Sequence, residues 1–137
     1  MTPGREVVSH PLPWGVLRLG ICYDLRFPEL FRLGPAPDFI ALPAAFTHTT
    51  GLAHWALLLR ARAVENLAFV FASAQGGHHP GGRRTFGHSM IIDPWGRILA
   101  QVEEGQGMAI ATLDLAAQRT VRSQLPALTH RKIAVGP

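Results

Sequence analysis

An α/β fold, with a mixed sheet and helices covering one face, follows from three features of the sequence. Val16–Ile21 is an alternating, largely apolar run, and Pro28-Glu29 after it has the composition of a helix's first turn. Phe39–Leu42 is then a fully apolar run of strand length. Strand, helix and second strand make a βαβ unit, so the two strands are expected as parallel neighbours with a right-handed crossover. Finally, alternating runs flank Asp93-Pro94-Trp95-Gly96, a strong turn signal, so antiparallel strands extend the sheet.

Taken in order, Met1–Trp14 holds three prolines and no clear period, and reads as an irregular leading segment. After the first strand, Pro28–Leu33 is a short helix stopped by Gly34-Pro35-Ala36-Pro37. Pro43 ends the second strand, and the loop Ala44–Gly51 leaves it at the same sheet end as Cys22. A long helix is expected from Leu52 to Asn66, with Leu57, Ala61, Val64 and Ala68 as its apolar face and an ion pair between Arg62 and Glu65. Ala68–Ala74 reads as a third buried strand and Gln75–Arg84 as a flexible glycine-rich loop. His88–Ile92 and Arg97–Val102 are the strands about the Asp93–Gly96 turn. Glu103–Gly107 turns again, Met108–Leu113 is a further strand, and Asp114 caps a helix running to Gln124, with Pro126 beyond it.

Length and composition set bounds on function. At 137 residues, 47% hydrophobic and 16% charged, the chain fits one ordinary globular domain spanning 1–137. One cysteine excludes an internal disulfide framework and a four-cysteine zinc site, which favours the cytoplasm. No apolar run reaches membrane-spanning length, and Met1–His10 lacks the apolar core of a signal peptide, so no membrane association is expected. The net charge of +4 comes from twelve scattered arginines and one lysine, Lys132, with no basic stripe interleaved with aromatics; nucleic acid is not an expected partner. His78-His79 has no third ligand at a suitable spacing, so no metal is expected, and no cofactor.

Cys22 is where local pattern points to chemistry. It stands at the carboxyl end of the first strand, where open α/β sheets place ligands, with Asp24 and Arg26 close by. By the same pattern it is equally a small buried apolar residue.

Five segments in register decide between these readings. Gly20–Leu30 (with Gly-Ile-Cys-Tyr-Asp), Pro43-Ala44-Ala45-Phe46, Thr50–Trp55, Leu59–Asn66 and Gly87–Gly96 together resemble the nitrilase superfamily of carbon-nitrogen hydrolases, in its amidase branch. The resemblance implies a four-layer αββα sandwich, of which this chain is the carboxyl-terminal half. It also implies hydrolysis of a small carboxylate-bearing amide through a cysteine thioester, releasing ammonia, with a glutamate as general base and a lysine holding the oxyanion. Carried over residue by residue, Cys22 is the nucleophile and the backbone N–H of Tyr23 an oxyanion donor, while Ala45 and Phe46 line the pocket. Asp24, Arg26, Glu29 and Glu65 match the motifs and are assigned first to ion pairs that fix the loop and helix.

The departures shape the rest of the expectation. Upstream of Cys22 stand only Glu6, with no motif around it, and no lysine; Lys132 is at the far end and matches no catalytic position. Ala56 stands where the similar amidases carry an acidic residue. The chain alone is therefore expected to be inactive. It should join a missing amino-terminal half or a second copy of itself as a homo-oligomer, because an uncovered sheet face would otherwise remain. Two other readings stay open: a thiol enzyme with a histidine base, and a non-catalytic half-domain acting as an interaction module.

Overall fold

The computed structural model describes residues 4–133. The leading segment, whose Met1–Pro3 lies outside the described residues, is less irregular than its prolines suggest. Strand β1 (Ser9–Leu12) pairs antiparallel with β2 (Gly15–Leu19), Ser9 opposite Arg18. Pro11 is accommodated because β1 is an edge strand, where a missing N–H breaks no ladder on the outer side.

Strands β2, β3 (Phe39–Ala44) and β4 (Phe69–Ala74) run parallel, as the βαβ pattern requires. Gln75–Arg84 is not a structureless loop: β5 (Gly76–His78) and β6 (Arg84–Phe86) form a separate antiparallel hairpin. The chain then adds β7 (Ser89–Ile92) antiparallel to β4, and β8 (Ile98–Val102) antiparallel to β7, giving a six-stranded mixed sheet of order β1-β2-β3-β4-β7-β8. Pro43 does not end β3. Gly20 N–H donates to Ala41 O, so Ala41 and Pro43, two residues apart, both turn their backbone groups toward the β2 side, and there β2 has already stopped.

Register sorts the side chains onto two faces. Arg18, Ile40, Val70 and Ile92 lie in one row across four strands and all are fully buried. This face is covered by a continuous helical stretch: a single turn α1 (His48–Thr50), a π-helical turn Gly51–Trp55, and α2 (Ala56–Asn66). The helix turns Trp55, Leu59, Arg62, Ala63 and Asn66 inward, whereas Leu57 and Val64 are 66% and 46% exposed. The buried face thus differs from the apolar stripe in the sequence, because two of its members are polar and find partners inside. Leu67, in the left-handed conformation, ends the helix, so Ala68 belongs to the start of β4's approach.

The opposite face carries a second row, Leu19, Ala41, Phe71, Ile91 and Ala100, apolar across five strands and, among the described residues, with no helix over it. Helix α3 (Leu115–Gln124) instead closes the amino ends of β3 and β4. Its Asp114 cap accepts from Ala117 N–H at 2.8 Å, and Gln118 Nε2 donates to Asp38 O and Leu67 O at 2.9 and 3.0 Å. Arg122 adds an ion pair with Asp38, whose carboxylate also accepts from Val16 N–H. A last turn, α4 (Ala127–His130), follows. Met108–Leu113 forms no strand: the Glu103–Gly107 turn carries it off β8, and Met108 and Ile110 stand 79% and 77% exposed.

The fully buried Arg18 has no carboxylate partner among the described residues. It donates to the carbonyls of Leu30, Leu33 and Pro35 at 2.7, 2.6 and 2.9 Å, tying the crossover to the sheet, and burial pushes its guanidinium below its ordinary pKa. Arg18→Met should leave those three carbonyls unpaired and cost about 3 kcal/mol. Urea unfolding tests this, and an unchanged midpoint would refute the role.

Candidate active site

Because β2 and β3 are parallel, their carboxyl ends open at one edge, and Cys22 stands at that edge. It heads a 3-10 turn, Cys22–Arg26, with φ of 50°, a left-handed conformation that costs a non-glycine residue about 1 kcal/mol or more. Beside it lies a crevice of about 780 Å³ whose lining includes Cys22, Ala45, Gln75, Ser89 and Met108.

The strained turn is held from several sides. Asp24 Oδ2 accepts from Ile21 N–H at 2.8 Å, closing the turn on itself. Arg62, reaching from α2, donates from Nε and Nη2 to Leu25 O at 3.1 and 2.8 Å, and from Nη1 to Glu65 at 2.9 Å. Its guanidinium also lies 5.8 Å from the Phe31 ring centroid. Gly20 leaves room for this packing: a Cβ there would stand 3.2 Å from both Leu42 and Phe31. Arg26 sits between rings, 5.7 Å from Tyr23 and 5.3 Å from Phe46, with its terminal nitrogens 3.4 and 3.5 Å from His54 Nδ1.

The residues singled out in the sequence fall into different places. Tyr23 lies in the first turn, where a backbone N–H has no intrahelical acceptor, and its side chain is exposed against Phe27. Ala45 lines the crevice; Phe46 does not. The Phe46 ring is buried in the core 4.9 Å from Trp55, since this loop must cover the top of α2. Of the four residues assigned to ion pairs, only Glu65 makes one among the described residues. Asp24 is spent on a backbone N–H, Arg26 on His54 and two rings, and Glu29 is exposed at the first turn of the 3-10 helix Pro28–Phe31.

Sequence patterning missed the residues that act through the interior. Trp55 Nε1 donates to His88 O at 2.8 Å, and the His88 ring stacks on Phe86 at 3.9 Å. Gly51 allows the π-helical turn to lie against β6: a Cβ would meet Phe86 at 2.3 Å. On the hairpin, Arg83 Nη2 donates to Ala45 O at 2.9 Å, and His79 Nε2 pairs with Thr85 Oγ1 at 2.6 Å. No group of three metal-ligating side chains occurs among the described residues. The crevice lining contains no carboxylate, lysine or histidine.

Residues 2–123 match the profile of the carbon-nitrogen hydrolases. The chain belongs to that family. It is 51% identical over 126 residues to the deaminated glutathione amidase of Synechocystis sp., a match covering 90% of the chain but 46% of that protein. Saccharomyces cerevisiae Nit3, of branch 10 of the nitrilase superfamily, superposes with a TM-score of 0.89 at 34% identity, over 97% of this chain and 50% of Nit3. The amidase of Nesterenkonia sp. AN1, in a glutamine-for-glutamate variant carrying the acetamide moiety of fluoroacetamide at its active site cysteine, matches with a TM-score of 0.78 at 27% identity, over 96% of this chain and 47% of that one. The chain thus spans about half the length of the relatives it matches.

Among the described residues, Arg62 is the one side chain of α2 that hydrogen-bonds a carbonyl of the cysteine turn. Arg62→Met should destabilise the fold by about 3 kcal/mol and speed amide hydrogen exchange at Asp24 and Phe27, whose N–H groups close the turn on Ile21 O and Asp24 O. Unaltered exchange at those two amides would show that the turn holds itself.

Proposed function

We propose that this chain carries the nucleophile of an amidase that hydrolyses the carbon-nitrogen bond of a small carboxylate-bearing amide. The observation that carries the reading is Cys22, set in a left-handed conformation at the mouth of a crevice where β2 and β3 end. The cysteine adduct of the Nesterenkonia amidase supports the same role.

In this mechanism the Cys22 thiolate attacks the amide carbon, and its electron pair forms the C–S bond while the carbonyl oxygen takes up charge. The Tyr23 N–H donates to that oxygen. Collapse breaks the C–N bond, ammonia leaves with the proton passed to it, and water hydrolyses the thioester to free the acid and the thiol. The proton carrier and a second oxyanion donor must come from outside the crevice lining, which offers neither carboxylate nor lysine. A glutamate- and lysine-bearing amino-terminal half would supply them, this chain then being the carboxyl-terminal half. That half, or a second copy of the chain, would also cover the apolar row Leu19, Ala41, Phe71, Ile91 and Ala100. For the substrate carboxylate we take Arg26, which stands outside the crevice lining against His54 but lies four residues along the chain from Cys22 and has no carboxylate partner among the described residues. A cytoplasmic location suits a thiol that must stay reduced. No described helix is long and apolar enough to cross a membrane.

The empty acid-base complement of the crevice also favours a second reading, a non-catalytic half-domain. A histidine-based thiol enzyme fits less well, since His54 Nδ1 lies against Arg26 and His88 Nδ1 against Phe86 O at 2.8 Å.

Alone, the chain should elute larger than a monomer or bind hydrophobic dye, and release no ammonia from amides. Mixed with a glutamate- and lysine-bearing half, it should hydrolyse short omega-amides in preference to nitriles, and Cys22→Ala should abolish this while keeping the fold. A dye-negative monomer active by itself, full turnover by Cys22→Ala, or a preference for nitriles would each overturn the proposal. In the active assembly, Arg26→Gln should raise KM about tenfold with kcat changed less than about threefold, steady-state kinetics being the check.

A further inference from the structure

Asn66 carries a buried acceptor that the described residues leave unused. Its Nδ2 donates to Arg62 O at 2.9 Å, and because a carbonyl can only accept, that bond fixes which way the amide is turned. Oδ1, on a fully buried residue, is then left without a hydrogen-bond partner, and an orphaned acceptor in the interior calls for a donor. Asn66 is also part of the wall of a cavity of about 90 Å³. Pro37 and Asn66, both on that wall, lead into β3 and β4, so the cavity lies at the amino ends of the strands, away from Cys22, and it shares no lining residue with the crevice.

The other polar side chains of the wall are two guanidinium groups, Arg32 and Arg131. Arg32 donates to Glu65 O at 2.6 Å, which leaves most of its five N–H donors free, and Arg131 is exposed with no carboxylate partner among the described residues. A third positive charge stands behind the wall: at Gly34, another lining residue, a Cβ would lie 3.9 Å from Nη2 of the buried Arg18. No carboxylate lines the cavity. Asp38 and Glu65, the chain neighbours of Pro37 and Asn66, are already paired with Arg122 and Arg62.

We propose that this cavity is a binding site for inorganic phosphate in a protonated form. Arg32 and Arg131 donate to the charged oxygens, and the P–O–H donates to Asn66 Oδ1. Cationic donors around one neutral, buried acceptor ask for an anion that keeps a proton. Hydrogen phosphate and dihydrogen phosphate both keep one near neutral pH, whereas sulfate, tetrahedral and equally charged, has none to give. The bound ion would join the crossover, the end of α2 and the segment after α4 at one point.

The test is calorimetric titration of the 137-residue chain with phosphate and, separately, with sulfate at equal ionic strength and neutral pH. Phosphate should bind saturably, one ion per chain, and sulfate about tenfold more weakly, the worth of one hydrogen bond to a buried acceptor. Arg131→Gln, at an exposed position that the fold does not depend on, should weaken phosphate about tenfold. Lys132→Gln, an equal loss of charge one residue along and outside the lining, should change it less than about twofold. Absence of saturable phosphate binding, equal affinity for sulfate, full binding by Arg131→Gln, or an equal loss in Lys132→Gln would each overturn the proposal.

Discussion

Everything at the carboxyl end of the sheet depends on one buried guanidinium joining a helix to a turn. The Leu25 carbonyl sits in the interior, where an unpaired acceptor costs about 1–3 kcal/mol, and Arg62 satisfies it with two donors. Burying that charge is itself expensive, and Glu65 and the Phe31 ring offset the expense from either side. Neutral packing would be cheaper for stability, but it would not set the turn's height above α2 to within a hydrogen bond. A cysteine at φ of 50° persists only where its surroundings over-determine it, and here Asp24, Arg62 and the tight seat at Gly20 do so together.

The two ends of the strands are treated differently. At the amino end, Asp38 joins Val16, Arg122 and Gln118 into one polar knot, and α3 shuts the sheet. At the carboxyl end the strands stop at unequal heights and the side chains become small: Ala44, Ala45, Ser73, Ala74 and Ser89. These short side chains form part of the crevice wall. Such an arrangement holds a reactive atom still while leaving volume beside it.

Much of this was legible in the residues. The βαβ unit, the antiparallel pair about Asp93–Gly96, the Asp114 cap and the Arg62–Glu65 pair follow from period, turn chemistry and spacing, all of them local. The family could be read from motifs in register, which also singled out Cys22. What stayed hidden was decided by tertiary context. β1 forms despite Pro11 because an edge needs fewer donors, and Met108–Leu113 forms no strand despite good alternation because the Glu103–Gly107 turn carries it off β8. α2 turned a face containing Arg62 and Asn66 inward, since Asn66 donates to Arg62 O and Arg62 to Leu25 O. Phe46 was read as pocket and proved to be core, because a motif fixes a residue's place in the chain but not the direction of its side chain.

Pro43 gives the crevice a permanence that its shape alone would not. Two strands that begin side by side tend to zip onward for as long as each offers the next donor or acceptor, and β2 and β3 start in such a ladder. The pyrrolidine ring interrupts it one step beyond the bond from Gly20 N–H to Ala41 O, on the side toward β2. The Gly20 carbonyl thus meets no N–H on Pro43, whose own C=O is all that remains to continue the ladder, and the chain is free to leave the plane of the sheet. The opening beside the thiol thus depends in part on the covalent chemistry of one residue, and not only on the placing of the surrounding loops.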